Sequence, residues 1–142
     1  MNFNSQLLME LVNTYGPAGN ERLIREYIIG QIKDYVDEIH IDELGNLIAR
    51  KKGNGKKIMI AAHMDQIGLM VTHIDDKGFL RFTNVGGISP YITLSQQVQF
   101  ENGTIGIISA EPIDNIAKLK LSNMFIDIGA NSKEEAEEKI SI

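Results

Sequence analysis

The hydrophobic period of this chain changes twice, and those two changes limit what it can fold into more than any single motif does. Up to Tyr35 the apolar residues recur at helical spacing, from Val36 they alternate, and beyond Gly68 they fall into short runs separated by turns. Phe3, Leu7, Leu8, Leu11, Val12 and Tyr15 form a first helical stripe, with Asn4 or Ser5 available to cap it and Gly16-Pro17 to close it. A second helix is expected directly after it. Asn20 can cap this helix, Glu21 favours its first turn, and Leu23, Ile24, Tyr27, Ile28 and Ile32 make a stripe running towards Tyr35.

Ile39 and Ile41 alternate with His40 and Asp42, Gly45-Asn46 marks a turn, and residues 47–52 return as a strand, so the pair predicts a hairpin. After a further turn at Asn54-Gly55, residues 57–63 are apolar on both faces and predict a buried central strand. Two helices, an antiparallel pair and a buried strand make the fold class α/β, the start of a sandwich. Beyond Gly68 the expected strands cover residues 69–74, 79–83, 97–101, 104–109 and 124–128, with a turn at residues 75–78 and a loop through Gly86-Gly87 and Pro90. That spacing suits a small barrel or sandwich. Ser132-Lys133-Glu134-Glu135 reads as a capping box, in which Ser132 accepts from the Glu135 amide and Glu135 reaches back to the Ser132 amide.

Composition narrows the function classes. Of the 142 residues, 43% are hydrophobic and 23% charged, an ordinary globular mix in which a packed core is feasible. The net charge is -5, and the glutamates at 134, 135, 137 and 138 account for all but one unit of it. A chain so charged is not expected to bind nucleic acid through phosphate neutralisation. The absence of cysteine removes disulfides, thiolate metal sites and cysteine nucleophiles together, and fits a cytoplasmic location. Apolar runs stop at five residues, at 58–62 and 67–71, so no membrane span is expected. The first five residues carry no basic region leading into an apolar stretch, so no secretory signal is read.

The residues that best carry chemistry are Ala62-His63-Met64-Asp65-Gln66-Ile67-Gly68. Two apart on an extended strand, His63 and Asp65 point to one face, where the imidazole can meet a metal and the carboxylate can fix its tautomer. The carboxyl end of a central strand is also where open α/β sheets keep their sites. The plainer alternative is a hydrogen-bonded histidine where a buried strand surfaces, with Asp65 capping the next turn. His40 and His73 stand at no recognisable ligand spacing.

Other features read as structure. Five Lys or Arg within residues 50–57 fit a solvated, charge-protected edge better than a phosphate site. Gly86-Gly87 lacks the lysine or third glycine of a phosphate loop. Ser5, Ser89, Ser95 and Ser109 have no nucleophile-elbow context. A glycosidase pair can be drawn from Asp65 and Glu101, but nothing in the sequence sets their separation.

The chain resembles the dinuclear-metal aminopeptidases that assemble as hollow tetrahedral particles, a group that includes glutamyl and deblocking aminopeptidases and proteins once labelled cellulase or endoglucanase M. The resemblance rests on ordered blocks: Gly16-Pro17-Ala18-Gly19-Asn20-Glu21, Asp42-Glu43-Leu44-Gly45-Asn46-Leu47-Ile48, Ala62-His63-Met64-Asp65-Gln66-Ile67-Gly68-Leu69-Met70-Val71, Asp75-Asp76-Lys77-Gly78-Phe79, Val85-Gly86-Gly87, and Phe125-Ile126-Asp127-Ile128-Gly129-Ala130 leading into Ser132-Lys133-Glu134-Glu135.

It implies that His63 is a metal ligand for one of two divalent ions, zinc or cobalt, and that Asp65 is a catalytic-site residue orienting it. It implies metal-assisted hydrolysis of peptide substrates by a homo-oligomer, with a glutamate handling the proton. Gln66 departs from the pattern, because the family commonly has glutamate there. The remaining family ligands and base come from sequence downstream of the matching region and fall on no residue here.

The resemblance further implies that residues 1–67 open a peptidase domain and residues 68–142 are most of an inserted, β-rich, PDZ-like dimerisation domain, incomplete at its end. The leading expectation is therefore an amino-terminal portion of a metallo-aminopeptidase, inactive as 142 residues alone. The alternatives are a non-catalytic assembly module and, on the old family labels alone, a glucanase.

Overall fold

The computed structural model describes residues 4–140 and divides the chain into two compact units, Met1–Gln66 and Ile67–Ile142. Phe3, counted in the first stripe above, lies outside the described residues.

In the first unit, α1 (Ser5–Asn13) is capped by Asn4, whose side chain accepts from the Leu7 amide at 3.1 Å. Helix α2 (Arg22–Ile32) begins after Glu21, whose carboxylate accepts from the Gly19 amide, and ends three residues before the exposed Tyr35. Strands β1 (Glu38–Ile41) and β2 (Leu47–Arg50) pair antiparallel, Ile41 opposite Leu47. The turn between them is organised by Asp42, which accepts from the amides of Leu44 and Asn46 and from the Asn46 side chain. Arg25 of α2 ties down that turn by donating to the Gly45 carbonyl at 2.9 Å.

The expected central strand is not there. Residues 57–63 form no regular element, and Ile58, Met59 and Ile60 are 88, 89 and 94% exposed. A strand apolar on both faces needs a neighbour on each edge and a layer against each face. The first unit supplies neither: its described sheet has two strands, and among its described residues only Gly16 and Ile24 are buried.

The second unit has a full core. Strands β3 (Gly68–Ile74), β4 (Leu80–Val85), β5 (Gln97–Gln99), β6 (Ile105–Ala110) and β7 (Met124–Asp127) form one antiparallel sheet in the order β3-β4-β7-β6-β5. The short helix α3 (Pro90–Thr93) lies within the expected loop, and 3-10 turns at Ile116–Lys118 and Leu121–Asn123 precede β7. Helix α4 (Lys133–Lys139) closes the unit, and its Ala136 is buried with Ile74, Leu80, Ile108, Met124 and Ile126. The sheet is thus covered by a helix contributing one apolar side to a common core, as a two-layer packing requires.

Ser132 caps α4 by accepting from the Glu135 amide at 3.2 Å. The return contact differs from the expected box. Glu135 accepts from the main-chain and side-chain nitrogens of Asn131, at 2.9 and 3.2 Å, while its other oxygen accepts from Lys139 at 2.7 Å. The lysine one turn on draws one oxygen, and the amide one residue before Ser132 takes the other.

Candidate functional site

His63 and Asp65 come together within the first unit, although no strand carries them. The His63 Nδ1 lies 3.2 Å from Asp65 Oδ1 and 3.1 Å from the Asp65 main-chain oxygen. Both neighbours are acceptors, so the proton belongs on Nδ1 and the lone pair on Nε2. The His63 side chain is 84% exposed and that of Asp65 41%. The outcome is an accessible imidazole nitrogen with its tautomer fixed by a carboxylate, the arrangement in which histidine serves as a metal ligand.

Gln66 follows at once and is tied into the loop between α1 and α2. Its main-chain amide donates to Gly16 at 2.9 Å, its carbonyl accepts from Ala18 at 3.2 Å, and its side-chain amide donates to the Thr14 carbonyl at 2.7 Å. Pro17 and Gln66 accordingly form a parallel bridge. Sequence reasoning missed this tie. No local signal announces it, because its partners Thr14, Gly16 and Ala18 stand far back in the chain.

The metal expectation can be tested against the donors present. The imidazole suits one coordination position of a divalent ion. Among the described residues no cluster of three or more His, Asp or Glu could hold an ion, so the pair supplies one ligand and not a complete site.

The other sequence candidates stand on other elements. His40 is exposed on β1 and His73 is exposed on β3. Asp65 and Glu101 belong to different units. The first three cations of the basic run are paired locally: Arg50 and Lys52 with Glu38 at 3.2 and 2.8 Å, and Lys51 with Asp37 at 3.8 Å. Lys52 and then Arg50 hold the Glu38 carboxyl below its ordinary range. In the second unit Arg81 lines a small cleft, but its guanidinium is already engaged by Glu111 at 2.6 Å, by Asp75 at 3.8 Å and by the Phe125 ring at 5.6 Å.

Comparison with known proteins bears on what the pair does. The family model described as M42 glutamyl aminopeptidase matches residues 45–142. A provisionally named aminopeptidase of Acetivibrio thermocellus is 56% identical over 137 residues, covering 96% of this chain and 42% of the relative. The solved structure of a Thermotoga maritima protein called an endoglucanase superposes with a TM-score of 0.85 at 37% identity, covering 95% of this chain and 42% of that one. The Pyrococcus horikoshii TET1 peptidase, which can assemble into a tetrahedron or a large octahedral shell, superposes with a TM-score of 0.82 at 38% identity, covering 96% and 43%. The chain spans about two-fifths of the length of these proteins.

Proposed function

We propose, from the premise that this chain belongs to the M42 glutamyl aminopeptidase family, that it carries the amino-terminal share of a metal-dependent aminopeptidase site. The observation that carries the proposal is the His63 imidazole held at Nδ1 by Asp65 with its other nitrogen accessible. His63 would be a ligand to one of two divalent ions, zinc or cobalt. Asp65 would act through His63, holding the Nδ1–H tautomer so that Nε2 is left to ligate. When bound, the ions polarise the scissile peptide carbonyl and activate water. Peptides are the substrate, and the enzyme works in the cytoplasm. Among the described residues no helix is long and apolar enough to cross a membrane.

The exposed apolar residues of the first unit support reading it as the opening of a peptidase domain. Ile58, Met59 and Ile60 have the composition of a buried strand and need partner strands to become one.

A chimera tests this reading: residues 1–142 joined to the part of the Acetivibrio thermocellus relative that they do not match. Zinc- or cobalt-dependent release of amino-terminal residues from short peptides is expected, with a loss of at least roughly 100-fold in His63→Ala. The 142-residue chain alone is expected to be inactive, because one imidazole cannot hold a dinuclear site. A chimera indifferent to His63→Ala would overturn the assignment. Hydrolysis of a soluble cellulose derivative in place of peptides would favour the glucanase alternative.

A second reading concerns the other unit. It has its own core, while Ile105 and Ile107 are exposed on neighbouring outward positions of β6. It reads as a PDZ-like dimerisation domain through which a homo-oligomer is built, and the assembly of the Pyrococcus horikoshii relative supports this. Sedimentation of residues 67–142 is expected to show a concentration-dependent dimer, and a monomer at all concentrations would sink the reading.

A further inference from the structure

We infer that Gln66 is the positioning residue for the His63–Asp65 pair, acting through the peptide unit it shares with Asp65. The inference rests on the reading of His63 and Asp65 as the site.

The argument begins with one peptide plane. The bond between Asp65 and Gln66 carries the Asp65 carbonyl on one side and the Gln66 amide on the other, and planarity holds the two in fixed opposition. The amide donates to Gly16 at 2.9 Å, and the carbonyl faces His63 Nδ1 at 3.1 Å. Fixing the direction of the amide therefore fixes the direction of the acceptor that holds the imidazole. One hydrogen bond in an exposed loop cannot do this against chain entropy. Two more anchor the same residue: Ala18 donates to its carbonyl at 3.2 Å, and its own side-chain amide donates to the Thr14 carbonyl at 2.7 Å.

The side-chain bond has a chemical requirement. Its acceptor is a main-chain carbonyl, so the residue at 66 must donate there. A side chain with no donor here leaves only the two main-chain ties in place. Of the three anchoring bonds, this is the one that depends on side-chain identity. Gln66 thus links the loop at residues 14–18 to a histidine that it does not touch.

Nitrogen NMR of the imidazole in the 142-residue chain, near neutral pH, tests the inference without any metal or activity. In the wild-type chain His63 is expected mainly as the Nδ1–H tautomer. Gln66→Leu and Gln66→Met are both expected to move it towards the mixed tautomers of an unconstrained imidazole, with the amide signals of α2 and of the second unit unmoved. Both remove the donor without adding charge, and Gln66→Met, the closer in shape, serves if the leucine variant fails to fold. Hydrogen exchange gives a readout that needs no variant: the Gln66 main-chain amide should exchange at least roughly tenfold more slowly than an unstructured one. Wild-type tautomer in both folded variants, or free exchange at Gln66, overturns the inference and leaves the proposed site standing. Mixed tautomers in the wild-type chain overturn the His63–Asp65 pairing itself, and the positioning role with it.

Discussion

Gly106 lies so close to Ile126 that a Cβ on the glycine would come within 2.4 Å of the isoleucine Cγ2. Ile126 is one of the most deeply buried residues of the second unit, and β6 approaches β7 there only because position 106 has no side chain. Gly106→Ala must push apart two strands or displace Ile126 into a filled core. The expected cost is about 1–3 kcal/mol, read as a lower denaturant midpoint for residues 67–142.

Ser132 begins α4 by accepting from the Glu135 amide, and the helix sets Ala136 into the core. Ser132→Ala removes the acceptor and leaves an amide of the first turn unpaired. A loss of about 0.5–2 kcal/mol is expected in chemical denaturation, and Ser132→Asp should recover most of it.

Glu135 gives the second unit an acid-sensitive contact. Lys139, then the main-chain and side-chain nitrogens of Asn131, hold its carboxyl down from 4.5 to about 2. The folded state therefore keeps this carboxylate ionised where the unfolded chain protonates it. Its contribution is fully present above about pH 4.5 and is lost as pH falls through about 2. Melting temperature followed against pH should fall less steeply over that window in Glu135→Gln than in the parent, and an unchanged slope would refute the assignment.

Asp65 supplies two acceptors to His63, and only the side-chain one can be removed by substitution. In the chimera described above, Asp65→Ala is expected to lower zinc affinity about 10–100-fold, measured by competition with a chelator. Asp65→Asn keeps an oxygen for Nδ1–H but loses the charge, so its effect should be smaller. Equal affinity in all three proteins would remove Asp65 from the site.

Much of this architecture was legible because its causes are local. Asn4 or Ser5 is read as the cap of α1 and Ser132 as the cap of α4 from type and position, and Asn4 and Ser132 are the ones that cap. The turn at residues 75–78 is announced by Asp75 and Gly78; Asp75 accepts from the amides of Lys77 and Phe79, and Gly78 has φ +85°. Helix α3 was missed because it is four residues long and stands among loop-forming residues, held by the Thr93 hydroxyl donating to the Ser89 carbonyl. The Glu135 contact was off by one residue, since two competing donors, Lys139 and Asn131, decide it together.

The His63–Asp65 pairing was anticipated from their two-residue spacing, but the strand meant to present them was not formed. Their approach comes instead within a stretch of no regular structure that is tied down at Gln66. Asn20 does not cap α2, which begins after Glu21. By itself the sequence determined helices α1, α2 and α4, the hairpin, the strands beyond Gly68, the caps at Asn4 and Ser132, the turn at residues 75–78 and the identity of the pair. All of these depend on hydrogen bonds and packing between residues close in the chain. The tertiary structure alone decided that Gln66 meets Thr14, Gly16 and Ala18, fifty residues away, and that residues 57–63 remain outside any sheet. Both are questions of which distant groups are available as partners, and a strand exists only where a neighbour completes its hydrogen bonds.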